Sequence, residues 1–260
     1  MKRRGAGPWL RLLAPLLLVL LAQGCVTTTN STFKADKEAE IASRVKAATD
    51  YLGQGNTEKA IVHLKRALEL DPNSAPVHDT LAQVFWKSGE YELAQDHFRK
   101  AIASDPQFSR ARNNYAAFLY ERGDTRGAIR ELEHVVSDTL YESRGAAFAN
   151  LGRAYQKVGE TAKAEEALSR AVKMDRRQWP AMLELAAINY DRGDHEAAAR
   201  YYEQFRRQVP RQTPRSLLLG IRLARVAGDR DAEASYSLQL KSMYPDSAEF
   251  REFSGNSTER

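Results

Sequence analysis

Six glycines recur along this chain at an almost constant interval. Gly55, Gly89, Gly123, Gly159, Gly193 and Gly228 stand 34, 34, 36, 34 and 35 residues apart, and each is followed by Asn, Asp or Glu. A period of this length is the mark of stacked supersecondary units, not of a single globule. An apolar stretch with helical spacing runs into each glycine, and a second such stretch follows it. Glycine ends a helix by entering the left-handed region at no steric cost. The repeating unit is therefore a two-helix hairpin, helix A then helix B, and the chain is all-α.

In a single frame, the hairpins share more than their glycine. Small residues recur in helix B at Ala60, Ala94, Ala128, Ala164 and Ala198, where two helices must approach closely. Large ones recur as knobs: Tyr51, Phe85, Leu119 and Tyr155 in helix A, and Leu64, Phe98, Leu132, Leu168 and Tyr202 in helix B. Three units close with proline, in "LELDP", "IASDP" and "RRQVP". This matches the tetratricopeptide pattern. It predicts a right-handed superhelical solenoid of six repeats over 41–247, divided as 41–74, 75–108, 109–142, 145–178, 179–212 and 214–247. The third repeat carries two extra residues in "VVSDTLYESRG", which predicts a longer turn. The sixth is degenerate, with Glu233 at its small-residue site, and 248–260 forms a cap and tail in which "YPDSAEFREF" supplies a short closing helix.

In tetratricopeptide arrays, helix A lines the concave face through repeat positions 2, 5, 6, 9 and 12. Position 12 holds Leu52, Trp86, Tyr120, Gln156, Tyr190 and Arg225, a row richer in large apolar side chains than packing of the repeat requires. Asn113 and Asn114 fall at positions 5 and 6, and Asn150 at position 6 of the next repeat. A groove-facing amide offers both a donor and an acceptor to an extended peptide. The candidate partner-binding residues are Val45, Leu52, Trp86, Asn113, Asn114, Tyr120, Asn150 and Tyr190. The alternative for each is packing on a neighbouring helix. A carboxylate clamp of the chaperone type is not expected, because its sites would fall on Asp79, Gln83, Ala146 and Asn150, and Asp79 would repel a carboxylate.

The N-terminus has its own grammar. "MKRRGAGPWLR" is basic, "LLAPLLLVLLA" is apolar but short for a bilayer span, and "QGC" follows. Residues 1–24 read as an export signal. Cys25, the only cysteine, resembles the acceptor of a bacterial lipoprotein signal, with Ala22 where leucine is usual; ordinary cleavage after "AQG" is the alternative. Lipidation implies a covalent N-terminal lipid and no other cofactor. Val26, in place of Asp, then implies the outer membrane, on its periplasmic face. Residues 25–40 form the lipidated N-terminus and a polar tether.

The formal charge is +5, but Lys2, Arg3, Arg4 and Arg11 of the signal account for most of the excess of 39 basic over 34 acidic residues. What remains is mixed-charge surface, so neither nucleic acid nor a small-molecule substrate is an expected partner. No catalytic or metal motif is present; the five histidines, at 63, 78, 97, 134 and 195, have no ligand spacing, and four fall on or near helix B surfaces, where a solvated side chain is the default. The chain is not expected to be an enzyme.

A lipoprotein signal, a short tether and six such repeats together resemble the PilF/PilW family of type IV pilus biogenesis proteins, the pilotins. "ARNNYAAFLYERGD" is similar to the family's "NNYG-FL" stretch, with Ala116 in place of glycine, and the first two repeats read alike as well. The resemblance implies an outer-membrane adaptor that binds the secretin subunit and promotes its localisation and multimerisation. A lipoprotein scaffold for cell-wall hydrolases would use the same architecture.

Overall fold

The structure, a computed structural model, describes residues 27–258. The signal segment and Cys25 lie outside the described residues. Among the described residues, all regular structure is helical. The chain forms two compact units that divide between Pro106 and Gln107.

The first unit holds α1 (Thr27–Gly53), α2 (Thr57–Leu70), α3 (Ala75–Lys87) and α4 (Tyr91–Ser104). The second holds α5 (Ser109–Glu121), α6 (Thr125–Ser137), α7 (Arg144–Lys157), α8 (Thr161–Met174), α9 (Trp179–Arg192), α10 (His195–Gln208), α11 (Pro214–Ala227), α12 (Arg230–Met243) and α13 (Ala248–Thr258). Each odd-numbered helix from α1 to α11 is helix A of a repeat, and its successor is helix B. The hairpins are those of the tetratricopeptide frame.

The recurrent glycine and the residue after it divide the work of each turn. All six glycines adopt positive φ, between 71° and 89°, and among the described residues no other does. They end helix A where an L side chain would be strained. The next residue starts helix B. The side chains of Asn56, Asp124, Asp194 and Asp229 accept from the backbone N–H of Lys59, Gly127, Ala197 and Ala232, at 2.8–3.1 Å. Each satisfies a donor that has no partner within its own helix. At Glu90 and Glu160 the longer side chain makes no such cap bond.

The small-residue row does the packing expected of it: Ala60, Ala94, Ala128, Ala164 and Ala198 are completely buried, as are the knobs Leu64, Phe98 and Leu168. Gly152 shows how closely helices meet in the fourth repeat. A Cβ there would lie 2.5 Å from Leu168 Cγ and 3.1 Å from the Ala164 carbonyl oxygen. At the C-terminal end, α13 sets Phe250 and Phe253 against Leu217, Ile221 and Leu240, covering a face that no further repeat covers. Glu233 is half-buried and paired with Arg225.

Two features depart from the simplest form of the sequence pattern. The stretch expected as a tether is helical from Thr27 onward. Ala, Lys and Glu favour helix, and Lys34 and Glu38 face each other across one turn at 3.8 Å. Its described side chains are largely exposed, so the first helix simply extends beyond the repeat. The third repeat has its long turn at 138–143. Asp138 organises it by accepting from Ser109 Oγ at 2.5 Å and from the Leu140 N–H at 2.9 Å. These bonds hold the Asp138 carboxyl below the usual carboxylate range, the Ser109 hydroxyl contributing most.

Candidate partner-binding face

Repeat position decides where each candidate residue sits. Position 5 is a packing position. Val45 is buried in a cluster with Val77 and Leu81 of the neighbouring helix A, and Leu183 is buried with Leu219 and Leu223 in the same way. Asp79, Ala149 and Leu218 are buried as well. Val45 is therefore a core residue and not part of a groove: at this register the side chain points across to the next helix A. Asn113 occupies the same position. It is half-buried, and its Oδ1 is enclosed without a hydrogen-bond partner.

Position 6 is mixed. Thr80 is buried and turns its hydroxyl back to the Pro76 carbonyl at 2.9 Å. Asn114 and Asn150 are half-buried. Glu184 is buried and takes a two-pronged bond from Arg215, Nη1 to Oε1 at 2.5 Å and Nη2 to Oε2 at 2.6 Å. That bond is the chief reason the Arg215 guanidinium is pushed above its already high range.

Position 12 is half-buried in every repeat, at Leu52, Trp86, Tyr120, Gln156, Tyr190 and Arg225. What each residue touches differs. Leu52 packs on the core of the first unit. In the same unit, Trp86 sits edge-on to Phe98, with ring centroids 6.5 Å apart. Tyr190 belongs to the core around Met182 and Tyr202 and lies 5.2 Å from the His195 ring. Leu52 and Tyr190 thus serve packing as well as any partner.

Of the proposed aromatics, Tyr120 lines a cleft of the second unit. The cleft runs along the helix A face of the second unit, measures about 540 Å³, and draws on α5, α7, α9 and α11. The Tyr120 ring forms its floor beneath two cations: Arg153 Cζ lies 5.5 Å and Lys157 Nζ 4.4 Å from the ring centroid. Gln156 also lines the cleft, as do Trp179, Pro180, Leu183 and the Glu184–Arg215 pair. Trp179 is 44% exposed, while its ring is held by Phe205 at 6.2 Å.

The sequence frame singles out Tyr120 but not Arg153, Lys157, Trp179 or Arg215. Arg153 and Arg215 fall at positions 9 and 2 of their repeats, so a signal was present in the frame. What it lacked was the knowledge of which neighbour would share the same hollow. Trp179 opens α9 at position 1, outside the usual face.

One helix B histidine departs from expectation. His97 is half-buried, and its Nδ1 lies 3.0 Å from Nδ1 of the buried His78, so these two rings form a contact within the first unit. Among the described residues, no cluster of three or more His, Cys, Asp or Glu is placed to hold a metal, and no helix is long and apolar enough to cross a membrane.

Comparison with known proteins places this geometry. The tetratricopeptide repeat family matches residues 80–135 and 150–213, and a second pattern of the same repeat matches 50–89. Over 91% of its length the chain is 42% identical to a protein of Pseudomonas aeruginosa, type IV pilus assembly protein PilF, and the match spans 95% of that protein. The solved structure of Pseudomonas aeruginosa PilF superposes with a TM-score of 0.82 at 41% identity, over 85% of this chain and 99% of that one. The crystal structure of PilW, a widely conserved type IV pilus biogenesis factor, superposes with a TM-score of 0.71 at 25% identity, over 82% and 97%.

Proposed function

The chain belongs to the PilF family of tetratricopeptide-repeat proteins of type IV pilus biogenesis, and on that premise we propose that it is an outer-membrane lipoprotein adaptor that binds the secretin subunit and promotes its assembly. The observation that carries this reading is the match to PilF along nearly the full length of both chains. Tetratricopeptide arrays are protein-interaction scaffolds, and the cleft beside Tyr120 offers side chains suited to binding a segment of another protein, with no nucleophile and general base arranged together in it.

Cys25 takes the lipid, and Val26 directs the protein to the outer membrane. The helical extension of α1 separates that anchor from the repeats. Anchoring beside the inserting subunit raises the adaptor's effective concentration there without a new contact.

Two measurements test the proposal. Replacing Cys25→Ala abolishes metabolic labelling with palmitate and releases a folded protein from the membrane fraction; persistent labelling, or a wild-type protein that is already soluble, overturns the anchoring. Deleting the gene lowers secretin multimers and surface pili while pilin synthesis continues. Normal multimers accompanied by altered cell-wall hydrolysis turn the reading to a hydrolase scaffold.

A further inference from the structure

We infer that the cleft bounded by Tyr120, Arg153, Lys157 and Trp179 receives an acidic, extended peptide segment of a partner protein, with a carboxylate held between Arg153 and Lys157 and an apolar side chain lodged against Trp179 and Leu183. The inference rests on reading the chain as a partner-binding array, and not on that partner's being a secretin.

Charge is the first observation. Arg153 and Lys157 are exposed on adjacent turns of α7, both over the same tyrosine ring, and neither has a carboxylate partner among the described residues. Elsewhere in the second unit cations are commonly matched: Arg126 with Glu160, Arg192 with Glu165, Arg206 and Arg207 with Glu203, and Arg222 with Glu252. Two unmatched cations held side by side over one ring form a positive mouth. A carboxylate entering it would meet both at once, and such charge-assisted bonds are shorter and stronger than neutral ones.

Shape is the second. The only carboxylate lining the cleft, Glu184, is already bonded on both oxygens by Arg215, so it adds little repulsion to an incoming acid. The lining is also apolar in part: Leu183 is buried and Trp179 rests on Phe205. Trp179 keeps one part of its ring on Phe205 and leaves the rest open, which is the arrangement of a preformed aromatic anchor. Gln156, which also lines the cleft, can both donate to and accept from an extended backbone. The cleft thus combines cationic and apolar lining residues, and the complementary peptide alternates acidic and apolar side chains, which an extended strand presents to different surfaces.

The test uses the full chain and a short fluorescein-labelled peptide in which Asp alternates with Leu and Phe, beside a twin with every Asp replaced by Asn. Fluorescence anisotropy gives tighter binding of the acidic peptide by about tenfold or more, weakening as salt is raised. Arg153→Glu/Lys157→Glu, changes at exposed positions whose folding is checked by circular dichroism, removes that preference. The same variant binds a peptide with Lys in place of Asp better than the wild type does. Equal binding of acidic and neutral peptides by the wild type overturns the inference, as does an acidic preference that survives the double substitution. Sedimentation of the wild type with phosphatidylglycerol vesicles while it ignores the peptide also overturns it, making the surface a lipid-binding one. Co-purification of the secretin with the double variant is read separately. Retention of the secretin with loss of the peptide upholds the cleft's chemistry and moves the secretin contact elsewhere. Failure of even the wild type to retain the secretin bears on the family-based function and leaves the peptide result to decide the cleft.

Discussion

His78 and His97 meet nitrogen to nitrogen, 3.0 Å apart at their Nδ1 atoms, on helices α3 and α4 of one hairpin. The second ring nitrogen of His78 lies 2.9 Å from the Pro72 carbonyl, which can only accept, so Nε2–H donates there. Nδ1 of neutral His78 is then an acceptor, and His97 Nδ1–H donates to it. An extra proton on His78 Nδ1 forces His97 to change tautomer so that its Nδ1 accepts, and protonation of both rings places two N–H groups head to head.

The consequence is a loss of stability in mild acid. Burial is the main cause lowering both rings, and His97 falls to about 4; Lys100 opposes protonation while Asp96 and, for His78, Asp71 and the Pro72 carbonyl favour it. The folded values lie below the unfolded ones, so stability is fully present above about 6.5 and declines as pH falls toward the folded values. Carboxylates such as Asp96 and Glu203 are themselves lowered, so their losses come at more acid pH. Thermal melting at about pH 7 and about pH 5 shows a decrease of about 1 kcal/mol, the His97 shift being discounted for its partial exposure. His97→Gln, which keeps a donor for His78, flattens the difference. An equal slope in both proteins removes the pair as its source.

Glycines at two points of α7 respond oppositely to the same change. Gly152→Ala puts a Cβ 2.5 Å from Leu168 Cγ, with the Ala164 carbonyl oxygen close behind, and costs about 1–3 kcal/mol through overpacking. Gly145→Ala finds its nearest neighbour, Met174 Cβ, at an ordinary 3.6 Å. It leaves stability unchanged or raises it by about 0.5–1 kcal/mol, since alanine loses less backbone freedom in a helix. Urea denaturation of the two variants decides this. Destabilisation by both, or by neither, contradicts the close approach at Gly152.

The start of α4 can be improved. Glu90 precedes it with φ −84° and ψ 69°, nearly the backbone of Asp124 at φ −80° and ψ 68°, yet only Asp124 caps its helix with its side chain. Glu90→Asp shortens the side chain to the length that reaches the free N–H groups, and raises stability by about 0.5–1 kcal/mol. An unchanged or lower melting temperature contradicts that account.

Much of the architecture was legible in the residue order because it is local. A glycine that must turn left and an alanine where helices touch both act within one hairpin, and the period repeats the evidence. Positions facing another hairpin were less readable. Val45 and Leu52 look alike in the repeat frame, but Val45 is sealed by Val77 and Leu81 while Leu52 stays half-open. Burial there depends on which side chains the next helix supplies.

The candidate site shows the same division. The order of residues marks Tyr120 as a groove position, because its place on helix A follows from the helical period alone. That Arg153 and Lys157 lie over its ring, with Trp179 lining the same cleft, depends on four helices, α5, α7, α9 and α11. The period assigns each side chain to a face of its own helix. Which side chains then share one hollow, and which cations are left without a carboxylate, is set by the packing of hairpins against one another, a relation among residues far apart in the chain.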